Sequence, residues 1–373
     1  MQTFPSNSIS FGALPSQTLR EMFEAGIITG ADAANIAPAS LDLTLSDEVY
    51  KTSCLFQLRQ GETVRELLRE IDAKPHPTEK AFERGATYIA RLNESAALPK
   101  GVYGYCNPKS STGRVDVHVR VLADGVPRYD SLVPGGWRGE LWIAIHPKSF
   151  SVKMNSGIAL SQLRLFTADT RFSQLDLHIA MERDKLLWDA QKNTALQTHE
   201  MHVGENDGAP VLSLDFDAAG IVGWVSKNTQ EVLDMSQVGA HAPDTFFEIV
   251  YAKKEGVLLE REKFYILSTE EAVRIPPTIA CEMAPMDERS GDFRSHYAGF
   301  IDPGWGWGKE GDAYGKQLTL EVRPFEDLFI RPKQPIAKIK FEKMAAVPDV
   351  LYDTRASNYV HQRGPRLSKH FLV

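Results

Sequence analysis

Four β-like segments of the first half of the chain return, in the same order, in the second half. SLDLTL (40–45) is echoed by VLSLDF (211–216), and GATYIARLNESAALP (85–99) by VLLEREKFYILSTEEAVRIPP (257–277). ELWIAI (140–145) is echoed by QLTLEV (317–322), and IALSQLRLF (158–166) by IAKIKFEKM (336–344). Ordered recurrence of this kind points to two copies of one β-rich unit. Short β segments also look alike by chance, so two unrelated β domains are the alternative. The apolar–polar alternation in SLDLTL and VDVHVRVL (115–122) is the period-two signal of half-buried strands. At roughly 100–200 residues per domain, 373 residues also call for more than one.

The segments between the strands set the expected boundaries. Ser16 reads as the N-cap of a helix over QTLREMFEAG, with Leu19, Met22 and Phe23 on one face and Gly26 as its stop. The stretch 60–80 is polar and reads as an excursion from the β core. The charged run at roughly 174–200, SQLDLHIAMERDKLLWDAQKNTALQ, reads as a helical connector. The expected organisation is therefore a first unit over 1–172, a connector over 173–205 and a second unit over 206–373.

Composition excludes several classes of function. A net charge of −7 gives no reason to expect nucleic acid as a partner, so an anionic ligand would need a local basic pocket. Cys54, Cys106 and Cys281 are odd in number and far apart, which argues against a disulfide framework and for a reducing, cytoplasmic setting. No apolar run approaches the roughly 18 residues of a membrane span, and the N-terminus lacks the pattern of a secretory signal. Zinc deaminases need His-x-Glu and Pro-Cys-x-x-Cys, yet none of the ten histidines has Glu two residues later and no Cys-x-x-Cys occurs. His199-Glu200-Met201-His202 has the wrong spacing for a helical zinc pair. GWGKEG (306–311) matches the dinucleotide glycine pattern only formally, because it precedes a strand-like run and not a helix.

The second half contains FIDPGWG (300–306) followed by LTLEV (318–322), then Tyr352 and SNYVHQRG (357–364). The first half contains LPKGVYGYCNPKSSTGR (98–114). Together these resemble the motifs of the dCTP deaminase family of the dUTPase-like superfamily. In that family the Ile-Asp-Pro-Gly-Trp turn leads into a strand carrying the catalytic glutamate. The double-serine segment holds the triphosphate, and the tail closes over the nucleotide. The resemblance implies a mainly β fold of two dUTPase-like distorted jelly-roll or β-barrel domains joined by a helical connector. It implies Glu321 as general acid and base, and Lys109, Ser110, Ser111 and Arg114 on the triphosphate. It also implies substrate contacts from Asp302, Thr319, Tyr352, Tyr359 and Gln362. Magnesium would come with the triphosphate, with no zinc on the protein. Asn358 stands where the family usually has lysine.

Aligning Leu98-Pro99 with Ile275-Pro276 puts Met286, Asp287 and Glu288 where the first half has Lys109, Ser110 and Ser111. The first half in turn has Ala144 where the second has Glu321. Each half keeps what the other lacks. One site assembled from both halves, within a chain or between chains of a monomer or homo-oligomer, accounts for this. The duplicated dUTPases of herpesviruses look like a precedent. Read without that context, Glu321 is an exposed strand glutamate and KSSTGR a polar turn. Asp302 is then a turn former before proline, and the polar tail is disordered. The chemistry expected is dCTP plus water to dUTP and ammonia, which needs a carboxylate to move protons. Release of pyrophosphate from dUTP, alone or after deamination, is a rival, and a non-enzymatic nucleotide-binding module is another.

Overall fold

The computed structural model describes residues 11–205, 207–217, 219–253, 256–294, 299–355, 359 and 362–372. It is mostly β. The first half supplies β1 (Leu41–Thr52), β2 (Thr87–Ala97), β3 (Tyr103–Pro108), β4 (Val117–Ala123), β5 (Arg138–Pro147) and β6 (Ala159–Phe166). These are hydrogen-bonded in the order β4-β5-β2-β1-β6-β3. The second half supplies β7 (Val211–Ser213), β8 (Tyr265–Val273), β9 (Ile279–Ala284), β10 (Phe293–Arg294), β11 (Lys316–Pro324) and β12 (Pro335–Lys343). There β10-β11-β8 repeats β4-β5-β2, and β7-β12-β9 repeats β1-β6-β3.

The repeat extends to register. Ile89 faces Ala144 across β2 and β5, and Ile266 faces Glu321 across β8 and β11. Each pair is interrupted at the same place, between Arg91 and Ser95 and between Ser268 and Ala272. At each interruption a buried carboxylate accepts a backbone N–H of a neighbouring strand: Glu94 from Thr44 at 2.8 Å and Glu271 from Ser213 at 2.7 Å. Burial pushes both carboxyls up, opposed by these hydrogen bonds. Shared pairing, shared bulges and a shared buried glutamate are not expected of unrelated β domains. Equivalent positions also fill equivalent cores: Leu43, Ala90, Ile143 and Leu163 in one, Leu212, Leu267, Leu320 and Ile339 in the other. The halves are not independent, because Phe246, Phe247, Phe264 and Phe371 lie in the first-half core.

The helices differ in part from expectation. α1 runs Ser16–Glu24 and Gly26 stops it at φ +69° as predicted, but its N-cap is Pro15. The Ser16 hydroxyl is drawn instead to the Asp349 carboxylate across the fold. The polar excursion contains α2 (Val64–Glu70), whose Thr63–Glu66 capping box satisfies its first turn. It covers Ile89 and Trp142 with Val64 and Leu68. A short turn of helix, α3 (Ser110–Gly113), follows β3. The expected connector helix is only α4 (Gln174–Asp184), which ends at Lys185 with φ +52°. Beyond it, Leu187–Asp189 pairs with β8. Leu186 and Leu187 are fully buried in the second half, and that burial overrides the helical propensity of the run. Among the described residues, no helix is long and apolar enough to cross a membrane.

Candidate active site

The duplicated strands leave a cavity of about 320 Å³ at the seam between the halves. One wall is α3. The amides of Thr112 and Gly113 both donate to the Lys109 carbonyl at 2.9 Å, which folds KSSTG into a tight turn at the cavity edge. The Lys109 ammonium meets the carboxylate of Asp42 on β1. Gln162 on β6 donates to the same carboxylate at 3.1 Å.

The facing wall is the Asp302–Trp305 turn of the second half. Gly304 has φ +90°, and a Cβ there would sit 2.6 Å from Leu351 Cβ and 2.8 Å from the Tyr352 amide nitrogen. Glycine is what lets Leu351 and Tyr352 cross the turn, where the Tyr352 amide donates to the Pro303 carbonyl at 2.9 Å. The rings of Trp305 and Tyr352 then lie 4.9 Å apart, so Trp305 is a buried turn aromatic that also lines the cavity.

Asp302 is held from beneath by Arg164 of β6, a fully buried arginine. Its guanidinium donates to Asp302 at 3.0 Å, to Glu342 at 2.6 Å and to the carbonyls of Cys281 and Ala39 at 3.1 and 3.3 Å. Burial pushes the Asp302 and Glu342 carboxyls up, the latter to about 7, while Arg164 draws both down. One first-half cation therefore ties two buried second-half carboxylates across the seam. Removing one member of such a group strands the rest without compensation. Arg164→Ala is expected to lower unfolding free energy by about 3–5 kcal/mol in denaturant titrations. A loss below about 1 kcal/mol would show that the seam does not depend on it.

Glu321, on β11, is one layer deeper than the cavity surface and almost fully buried. Its carboxylate lies 3.8 Å from Nε of Arg114. Arg114 lines the cavity and is itself buried, stacked 4.0 Å over the Tyr359 ring. It donates to Gln362 Oε1 at 2.7 Å and to the Arg366 carbonyl at 3.1 Å. The remaining tail is bound to the body. Gln362 donates to the Gln317 carbonyl at 2.9 Å, Thr319 to the Gly364 carbonyl at 3.3 Å, and Ser368 to the Ser111 carbonyl at 2.9 Å.

The structure thus brings Lys109, Ser110, Ser111, Arg114, Asp302, Thr319, Tyr352, Tyr359 and Gln362 into one cavity, with Glu321 behind it, in one chain. Asn358 lies outside the described residues. The Arg114 guanidinium faces Glu321 and the tail, where the motif alone suggested phosphate. Sequence reasoning missed Asp42, Gln162, Arg164, Arg355 and Lys369. Asp42 and Gln162 sit on the polar phase of their strands and were legible as such. Arg164 sits between Leu163 and Leu165, and only its burial marks it. Lys369 reaches the cavity because the tail folds back; burial and then the nearby Lys109 hold its ammonium below the ordinary lysine range.

These features define a class: tandemly duplicated β proteins with a composite cleft at the seam of their halves. The chain matches the family model described as the 2'-deoxycytidine 5'-triphosphate deaminase N-terminal domain over residues 10–169 and that of the C-terminal domain over 183–371. It is also similar to the crystal structure of 2'-deoxycytidine 5'-triphosphate deaminase from Agrobacterium tumefaciens. The TM-score is 0.83 and the identity 30%, over 92% of this chain and 98% of that one. No curated protein matches the chain. The chain belongs to the dCTP deaminase family, in its two-domain form.

Proposed function

We propose that the chain converts dCTP and water to dUTP and ammonia in this cleft. The observation that carries the reading is the Arg114–Glu321 pair: a motif residue of the first half and a carboxylate of the second, 3.8 Å apart beneath a shared cavity. Neither half has both. Glu321 takes a proton from water as the oxygen adds to C4 of the cytosine. It passes that proton to N3, then takes the proton of the new C4 hydroxyl and gives it to the amine as the C4–N bond breaks, so the carbonyl forms, the carboxylate is regenerated and ammonia leaves. Acid–base help of this kind contributes about 10²–10⁴-fold. Arg114 orients Glu321, and the bound tail keeps the pair away from bulk water.

The triphosphate is assigned to the cationic side of the cavity: Lys109, Ser110 and Ser111, joined by Arg355 and Lys369. Asp302, clamped by Arg164, is assigned to the sugar. Tyr352, Tyr359 and Gln362 close over the nucleotide. Magnesium is proposed to enter on the phosphate oxygens. A cytoplasmic location is proposed from the three free cysteines. Because one chain supplies both motifs, a monomer or any homo-oligomer would carry complete sites.

The test is incubation of the pure protein with dCTP and magnesium, followed by separation of the nucleotides. dUTP is the expected product. dUMP would add pyrophosphate release, and unchanged dCTP would sink the reading. Lys109→Gln is expected to raise KM for dCTP by about tenfold or more, since a charge-assisted phosphate bond is worth about 1.5–3 kcal/mol. Affinity for deoxycytidine, measured by competition, should change little. Equal weakening of both ligands would make Lys109 a structural residue.

A further inference from the structure

A second cavity, of about 280 Å³, opens at the seam and shares no lining residue with the first. We propose that it binds a small phosphate-class anion, gripped by Arg120 and Arg294.

The cavity lies where the duplicated edge strands meet. On β4, His118 faces His146 and Val117 faces Pro147; on β10, Arg294 faces Arg323 and Phe293 faces Pro324. Ala144 and Glu321 are equivalent, so Pro147 and Pro324 are too. His118 and Arg294 are then the same position in the two copies. They contact each other at the seam, with Arg294 donating to the imidazole of His118. This is a place where duplication has set two basic side chains side by side.

The lining chemistry is that of an anion site. Arg120 is half-buried and stands over the Tyr129 ring at 5.1 Å, with no carboxylate within ion-pair distance among the described residues. Asn107 accepts the Gly299 amide at 2.7 Å through its carbonyl oxygen, while its amide N–H groups have no acceptor among the described residues. Asp130 is the lining carboxyl. It is engaged by the Val121 amide at 2.7 Å, and burial pushes it up to about 7 despite Arg120 and Arg294. Burial first, and then the nearby Arg294, Arg120 and Lys148, hold the His118 imidazole below the ordinary histidine range. Two guanidinium forks and an amide lining one cavity supply the bidentate and single donors that hold phosphate oxygens. Phe293 also lines the cavity and would pack against any organic group the phosphate carries.

This inference does not rest on the deaminase reading. The test is calorimetric titration of inorganic pyrophosphate into full-length protein carrying Lys109→Gln and Ser111→Ala, which weakens the phosphate grip of the first cavity. One binding event is expected, weakened by about tenfold or more when Arg120→Gln is added. The His118 ring resonances, followed by NMR, should shift on binding. Arg120→Gln alone should leave dCTP turnover within about twofold. If that variant melts early, Arg294→Gln serves in its place with the same expectation. Comparing pyrophosphate with dUMP separates a free anion from a nucleotide, since only the nucleotide places a ring on Phe293. Tighter binding of either supports the site. No binding event, or one untouched by both arginine substitutions, would overturn it.

Discussion

Glu321→Gln should lower kcat for dCTP deamination by about 10²-fold or more, while dCTP affinity stays within a few-fold. The amide keeps the shape of the side chain and its place on β11 but cannot take a proton from water. The residue is almost fully buried beside Arg114, so the neutral variant is expected to lose some stability, although its amide oxygen can still accept from that guanidinium. The measurement is steady-state kinetics with a thermal melt of the same preparation. Near-normal turnover in a folded variant would remove Glu321 from the mechanism. Binding lost in step with turnover would instead make it a structural residue of the cleft.

Arg114→Ala should have a comparable effect, and the structure changes what kind of effect is expected. A reading from the motif puts Arg114 on the triphosphate, where its loss raises KM. In the fold it is buried between Glu321, Tyr359, Gln362 and the Arg366 carbonyl. Its removal should therefore lower kcat by about 10²-fold, because Glu321 loses its orienting partner and the tail its anchor. Lys109→Gln should act mainly on KM, so the kcat against KM split of the two variants is the decisive comparison. A pure KM effect for Arg114→Ala would restore the phosphate role. Mixing the Arg114→Ala and Glu321→Gln proteins should give no rescue, since both residues meet within one polypeptide. Recovered activity would mean that the working cleft forms between chains.

How far the site was legible follows from where its residues stand. The KSSTGR and Asp302 segments were readable as turns because each is a local device, but their place in a site was legible only through the family resemblance. The helical form of KSSTG and the positive φ that calls for glycine at 304 appear only in the structure. The complementary losses, Met286 for Lys109 and Ala144 for Glu321, were readable because register preserves equivalence between copies. Strand pairing later confirmed it through Ile89 and Ile266. The connector was misread because MERDKLLWDAQ favours helix locally, while Leu186 and Leu187 are buried by a sheet distant in sequence. Ser16 was misassigned as a cap because nothing near it reveals Asp349, which takes its hydroxyl.

The sequence by itself determined that the chain is two copies of a β unit, which strands each copy uses and which half keeps which motif. Alternation, turn residues and ordered recurrence are written residue by residue. Only the tertiary structure decided that both motifs face one cleft within a single chain and that Arg114 lies against Glu321. The same is true of Arg164, which crosses the seam to hold Asp302 and Glu342, and of the second basic cavity between β4 and β10. Each of these depends on contacts between residues more than a hundred positions apart. Their energy comes from burial and charge compensation that no local window of the chain contains.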